Sequence, residues 1–174
     1  MGLRPAHTCR DLGKVAWTRF SKKRPRKSFV KALPHNAVQI FNMGDPSKEY
    51  EAEIKLLARK PIQIRDNAIE AARQAVNKYL EKSIPGNYYF KLLIFPHNVI
   101  RENKMIVGAG ADRMQKGMRK SFGRATDRAA RVGANQKIFR IRFMKKDSEI
   151  VKEALRRARL KLSGSYYTNT VELS

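Results

Sequence analysis

Cysteine is almost missing from this chain: Cys9 stands alone among 174 residues. A disulfide framework and a four-ligand zinc site are thereby excluded within one chain, and a reducing, intracellular setting is expected. Histidine is nearly as scarce. His7, His35 and His97 lie far apart, with no HExxH and no Cys/His cluster. No run approaches about 18 apolar residues, so no membrane span is expected. The start Met1-Gly2-Leu3-Arg4-Pro5 lacks the apolar stretch of a signal peptide. Nucleotide loops are missing too. Gly108-Ala109-Gly110 has Arg113 where the dinucleotide fingerprint needs its third glycine, and no Gly-Lys-Ser/Thr end follows. No Ser/His/Asp signature is present either. The sequence therefore offers no catalytic site, metal site or cofactor.

Acids are few, and their scarcity is the main signal. Lys and Arg number 38 against 15 Asp and Glu, a formal charge of +23. Solubility needs far less charge than this. Such an excess repels itself, and a polyanion would neutralise it. Binding to nucleic acid would release counterions and be steeply salt-dependent. Hydrophobic residues make up 42% of the chain, enough for one domain with a real core.

The charge is uneven. Residues 1–31 hold ten basic residues and one acid, whereas 32–100 hold nine and seven. Residues 101–136 hold nine and three, and 137–161 hold ten and three. The middle reads as scaffold and the flanks as RNA-facing material. Residues 1–36 read as an extended basic arm around Ser21-Lys22-Lys23-Arg24-Pro25-Arg26-Lys27-Ser28, ordering on RNA rather than alone. A nuclear import signal is the alternative for that run, but it leaves the charge at the other end unexplained.

Residues 37–164 read as a single α+β domain and 165–174 as a short tail. Tyr50, Ala52, Ile54 and Leu56 alternate with Glu51, Glu53 and Lys55, which predicts a half-buried strand. Val38-Gln39-Ile40-Phe41 precedes it across Gly44-Asp45-Pro46-Ser47, a hairpin-like connection. Ile62 and Ile64 predict a short strand. Asp66 is a candidate N-cap for a helix with Ile69, Ala72, Val76, Tyr79 and Leu80 on one stripe, ending near Ser83. Tyr88 to Phe95 reads as a buried strand, with Tyr88 and Tyr89 packing in the sheet rather than stacking on bases.

Phe139, Ile141 and Phe143 alternate with Arg140 and Arg142, so the arginines share one outer face. Fork-shaped guanidinium groups there suit phosphate; the alternative is solvated arginines on an edge strand. Asp147 or Ser148 caps a second helix with Val151, Ala154, Leu155, Ala158 and Leu162 buried. Its outer stripe is Lys152, Arg156 and Arg159, beside Arg157 and Lys161, and Gly164 is a plausible stop. Two helices interleaved with strands predict an α+β sandwich.

Residues 101–136 carry Gly108, Gly110, Gly117, Gly123 and Gly133 among basic residues and lack a long apolar stripe. They read as a long loop entering an RNA cleft, glycine allowing close approach of backbone to phosphate.

Several of these stretches together resemble a known family. Met1-Gly2-Leu3-Arg4-Pro5-Ala6, Ala37-Val38-Gln39-Ile40-Phe41, Ala109-Gly110-Ala111-Asp112-Arg113-Met114-Gln115, Gly117-Met118-Arg119, Phe122-Gly123 and Glu153-Ala154-Leu155-Arg156-Arg157-Ala158 occur in the same order in it. The family is ribosomal protein L-ten-e, the archaeal and eukaryotic branch of the universal large-subunit family L-sixteen. Residues 119–131 and the short tail resemble archaeal rather than eukaryotic members.

The resemblance implies a two-layer α/β sandwich of the hammerhead type. It implies a structural, non-enzymatic seat on large-subunit rRNA in the cytoplasm, beside the tRNA cleft and neighbouring ribosomal proteins. Support for the 5S rRNA region and for A- and P-site tRNA is also implied. The tRNA-proximal loop would hold Arg101, Lys104, Gly108, Gly110, Arg113 and Lys116. In the arm, Arg4, Arg10, Lys14, Arg19, Lys22, Lys23, Arg24, Arg26 and Lys27 are expected to bind RNA. In the body, Arg119, Lys120, Arg124, Arg128, Arg140, Arg142, Arg156 and Arg159 are expected to do the same. Two rival classes remain: an RNA-modifying enzyme, which would need a cofactor pocket and a catalytic group, and a chromatin-type binder of duplex DNA.

Overall fold

Side chains alternate across a strand, so a strand with one apolar set must cover it with another layer. The computed structural model describes residues 12, 33–102, 108–110 and 123–173. In it β2 (Ala52–Ala58) buries Ala52, Ile54, Leu56 and Ala58 on one side. β7 (Lys137–Phe143) pairs antiparallel with it, aligning Phe143 with Ala52, Ile141 with Ile54 and Phe139 with Leu56. β4 (Tyr88–Leu92) lies on the far side of β7 and adds Tyr88, Phe90 and Leu92 to the same apolar face. The Phe90 and Phe139 rings meet edge to face at 5.2 Å. β1 (Asn42–Gly44) and β8 (Tyr166–Glu172) complete a five-stranded sheet in the order β1-β4-β7-β2-β8.

Two helices close that face. α1 (Asp66–Ser83) buries Ile69, Ala72, Val76 and Leu80, and α2 (Ser148–Arg159) buries Val151, Ala154, Leu155 and Ala158. Both stripes recur at three- and four-residue spacing and join the inner face of the sheet in one apolar core. Tyr88 reaches across the layers, its hydroxyl donating to Asn77 Oδ1 of α1 at 2.9 Å. A second antiparallel sheet orders β3 (Ile62–Arg65), β6 (Arg124–Val132) and β5 (Asn98–Glu102) as β3-β6-β5. The α+β class is observed.

Several expectations change. The stretch 38–41 is not the first strand of a hairpin with β2. The strand is the shorter β1, and it pairs with β4. Gly44 explains the turn away from β2: its φ is +81°, and a Cβ there would lie 2.1 Å from the Tyr88 carbonyl oxygen. Only glycine fits both demands. The long loop also shrinks, because residues 124–132 form β6, the middle strand of the second sheet. The segment read as a tail carries β8, which pairs along the whole of β2 from Glu172 opposite Ala52 to Tyr166 opposite Ala58.

Neither expected cap makes its bond. Asp66 lies inside α1, where Oδ1 accepts from the Asn67 amide at 2.8 Å and Oδ2 from the Ala37 amide at 3.0 Å. It anchors the incoming chain instead of capping. Asp147 does precede α2, in a short 3-10 turn, without a side-chain cap bond. The basic arm falls outside the described residues except for Leu12 and residues 33–36.

Candidate nucleic-acid interface

The helices cover only one face of the five-stranded sheet, so alternation sends the other residues of the same strands to an outer face. Strand register places them in rows. One row crosses the sheet as Asn42, Lys91, Arg140, Lys55 and Asn169. The next is Gly44, Tyr89, Arg142, Glu53 and Val171. Four cations therefore share this face on adjacent strands, and three of them, Lys55, Arg140 and Arg142, gather around a single carboxylate.

Glu53 organises them. It is 5% exposed, yet Lys55 Nζ lies 2.8 Å from it, Arg142 Nε donates to it at 2.9 Å and Arg140 Nε stands at 3.8 Å. Burial alone pushes its carboxyl up. Hydrogen bonds from Lys55 and Arg142, and the charges of Lys55 and Arg140, outweigh that and hold it below the ordinary glutamate range. One acid thus tethers three cations without cancelling them. A guanidinium carries five donors in a fixed fork, so a bond from Nε leaves capacity for a phosphate. The expectation that Arg140 and Arg142 share an outer face holds. The edge-strand alternative does not, since β7 runs between β4 and β2. Nor are the two side chains fully solvated, at 26% and 38% exposed. Lys55, Lys91 and Tyr89 belong to the same face, which the alternation of each strand allowed but only strand order reveals. Tyr89 lies on this outer face, half-buried and outside the core, with its hydroxyl donating to Asn42 Oδ1 at 3.1 Å.

The outer stripe of α2 is a separate basic surface. Lys152, Arg156 and Arg159 are exposed along it. Arg156 is clamped by Glu153 through Nε at 2.6 Å and Nη2 at 2.9 Å. Arg157 Nε also donates to Glu153, at 3.1 Å, while its guanidinium lies over the Tyr79 ring at 3.9 Å. These arginines drive the Glu153 carboxyl down to about 2. Lys152 and Arg159 are the cations of this stripe that lie apart from Glu153.

The second sheet carries the rest. Arg124 is exposed at the start of β6, opposite Glu102 of β5. Arg128, expected to bind RNA, is half-buried, and its Nε donates to the Pro34 carbonyl at 2.6 Å, fastening the chain that enters the fold. Arg101 is half-buried, and burial pulls its pKa down. The exposed glycines Gly108 and Gly110 have no heavy atom within 4 Å of an added Cβ, and Gly110 has φ +74°. Among the described residues no packing demands glycine there; the backbone itself is what the position exposes. Lys104, Arg113, Lys116, Arg119 and Lys120 lie outside the described residues, as do Arg4, Arg10, Lys14, Arg19, Lys22, Lys23, Arg24, Arg26 and Lys27.

Among the described residues, no group of three His, Cys, Asp or Glu side chains is placed to hold a metal. No described helix is long and apolar enough to cross a membrane.

The family described as Ribosomal protein L16p/L10e matches residues 18–168. A protein named large ribosomal subunit protein uL16 from Archaeoglobus fulgidus is 44% identical over 147 residues, covering 84% of each chain. Its namesake from Thermofilum pendens is 41% identical over 163 residues, 93% of each chain. That from Methanococcus maripaludis is 41% identical over 163 residues, 93% of this chain and 90% of its own. Matches of this extent and identity, all to archaeal proteins, establish that the chain belongs to the L16p/L10e family of ribosomal proteins, structural components rather than enzymes.

Proposed function

We propose that this protein is a structural constituent of the large ribosomal subunit in the cytoplasm, seated on large-subunit rRNA by several basic surfaces at once. The observation that carries the reading is the outer sheet face, where Lys55, Arg140 and Arg142 surround one acid and Lys91 lies beside Arg140, on the side the helices leave open. RNA helices are recognised mainly through shape, phosphate and 2′-hydroxyl contacts, which a lattice of lysine and arginine provides without a base code. The α2 stripe and the basic arm add further contacts, and neighbouring ribosomal proteins complete the seat.

The finer placement follows the family pattern in the sequence. The protein sits beside the tRNA cleft, in a hammerhead-type α/β arrangement. Residues 101–117 point toward the A- and P-site tRNAs, and the body supports the 5S rRNA region. Chemistry belongs to the RNA; the protein holds the architecture.

Sedimentation tests the seat directly. The protein is expected to travel with large subunits in sucrose gradients, and a pool that stays at the top of the gradient would overturn the reading. For the loop, replacing Arg113, Lys116 and Arg119 together by Ala is expected to impair subunit maturation or tRNA-site function with the fold intact. Normal subunit profiles and unchanged translation would remove the loop from the mechanism.

A further inference from the structure

α1 and α2 lie side by side, and a groove of about 460 Å³ runs between them. Its origin is helical spacing. Ala75, Lys78, Tyr79 and Lys82 share one stripe of α1, while Arg157, Leu160 and Lys161 recur at i, i+3 and i+4 along α2 and its C-terminal turn. The result is an apolar floor of Ala75, Tyr79 and Leu160 rimmed by four cations, with no acid in the lining. Leu160 is 73% exposed, the highest of any large hydrophobic side chain among the described residues. Glu153 engages Arg157 from outside the groove. Among the described residues, Lys78, Lys82 and Lys161 make no ion pair.

An RNA strand would use the rim and leave the floor unmatched, since phosphate wants cations and no apolar surface. Base stacking fares no better, because Arg157 already covers one face of the Tyr79 ring and an aliphatic Leu160 is not a stacking platform. The groove also lies on the helix layer, whereas the cationic sheet face lies on the opposite side of the fold. An occupant with one apolar side chain and flanking carboxylates matches both features: burial of the anchor supplies affinity, and the charges supply orientation and encounter rate.

We propose that the α1–α2 groove docks an acidic peptide segment of a partner protein, seating one apolar side chain on Ala75, Tyr79 and Leu160 between the cations of the rim. This site uses none of the sheet-face residues and none of Lys152, Arg156 and Arg159, although Arg157 and Lys161 of its rim border that α2 stripe.

The test uses the full chain and short fluorescein-labelled peptides in which a Leu, Phe or Met is flanked on both sides by Asp and Glu. Fluorescence anisotropy should show binding by at least one of them, weakened about tenfold when the anchor is replaced by Gly at constant charge. Leu160→Ser, at an exposed position that leaves the core intact, should weaken the anchored peptide by a similar factor and leave the Gly peptide unchanged. The double variant Lys78→Gln/Lys82→Gln should weaken both peptides. Binding by none of the peptides, or equal binding of anchored and Gly peptides, overturns the proposal. It is also overturned if Leu160→Ser weakens binding of an RNA hairpin and spares the peptides, which would make the groove an RNA site.

Discussion

The two faces of the five-stranded sheet are built by the same strands and obey opposite rules. On the inner face, Phe90, Phe139, Ile141 and Phe143 are sealed under two helices. One residue along each strand, Lys91, Arg140 and Arg142 point the other way, and the two arginines gather with Lys55 round Glu53. The comparison teaches how a chain of charge +23 folds at all. Charge placed at period two never enters the core, and one buried acid relieves the crowding of cations that the arrangement creates. Stability should therefore belong to the inner face and binding to the outer one, with Glu53 serving both.

The sharpest way to break that division is to cut the inner face. Phe139→Ala removes a fully buried ring that packs edge to face on Phe90 and is expected to cost about 3–5 kcal/mol in a denaturant titration. Loss of less than about 1 kcal/mol would mean the face is not the core that it looks to be.

Glu53→Gln comes next, with an expected cost of about 1–3 kcal/mol, because three cations lose their shared counter-charge at a desolvated site. The same residue sets a pH dependence. Its folded pKa is below its unfolded value of 4.5. The stability it contributes is therefore fully present above pH 4.5 and is lost as pH falls through the lower folded value. Thermal melts down this window should show a decline in the wild-type chain that Glu53→Gln lessens. An identical decline in both would place the acid sensitivity elsewhere.

The smallest stability effect belongs to Arg142→Gln. A side chain 38% exposed should contribute under about 1 kcal/mol to folding. Its loss should show instead in binding to large-subunit rRNA, lowering the slope of log affinity against log salt by about 1. A large stability loss with an unchanged salt slope would reassign the outer face from RNA contact to structure.

Legibility in the sequence followed the strength of local periodicity. β7 could be read because Phe139, Ile141 and Phe143 alternate with arginines, and α1 and α2 because their apolar residues recur at helical spacing. β6 could not. Its first half is charged or small and half-exposed, and its buried residues Ala129, Ala130 and Val132 are small, so the strand is made by pairing on both sides rather than by pattern. β8 was hidden for a related reason: an edge strand of Thr, Asn and Thr has little core face to announce it. The candidate interface was half legible. Arg140 and Arg142 were found from their own strand, whereas Lys55, Lys91 and Glu53 join them only through partners distant in sequence. The Arg128 bond to Pro34 is of that kind too, and no local pattern encodes it.

That bond, with the Ala37 amide held by Asp66, has a consequence for the basic arm. The two contacts fix residues 34–37 to the body of the protein, at β6 and at the start of α1. A chain spans at most about 3.3–3.6 Å per residue, so the reach of whatever precedes residue 34 is measured from that fixed point. In the proposed seat on rRNA, binding through the sheet face would make any contact of the arm intramolecular, governed by a local concentration in place of a second diffusive search. Arg128→Ala is expected to loosen that fixed point and so to weaken this intramolecular advantage without removing any charge of the arm.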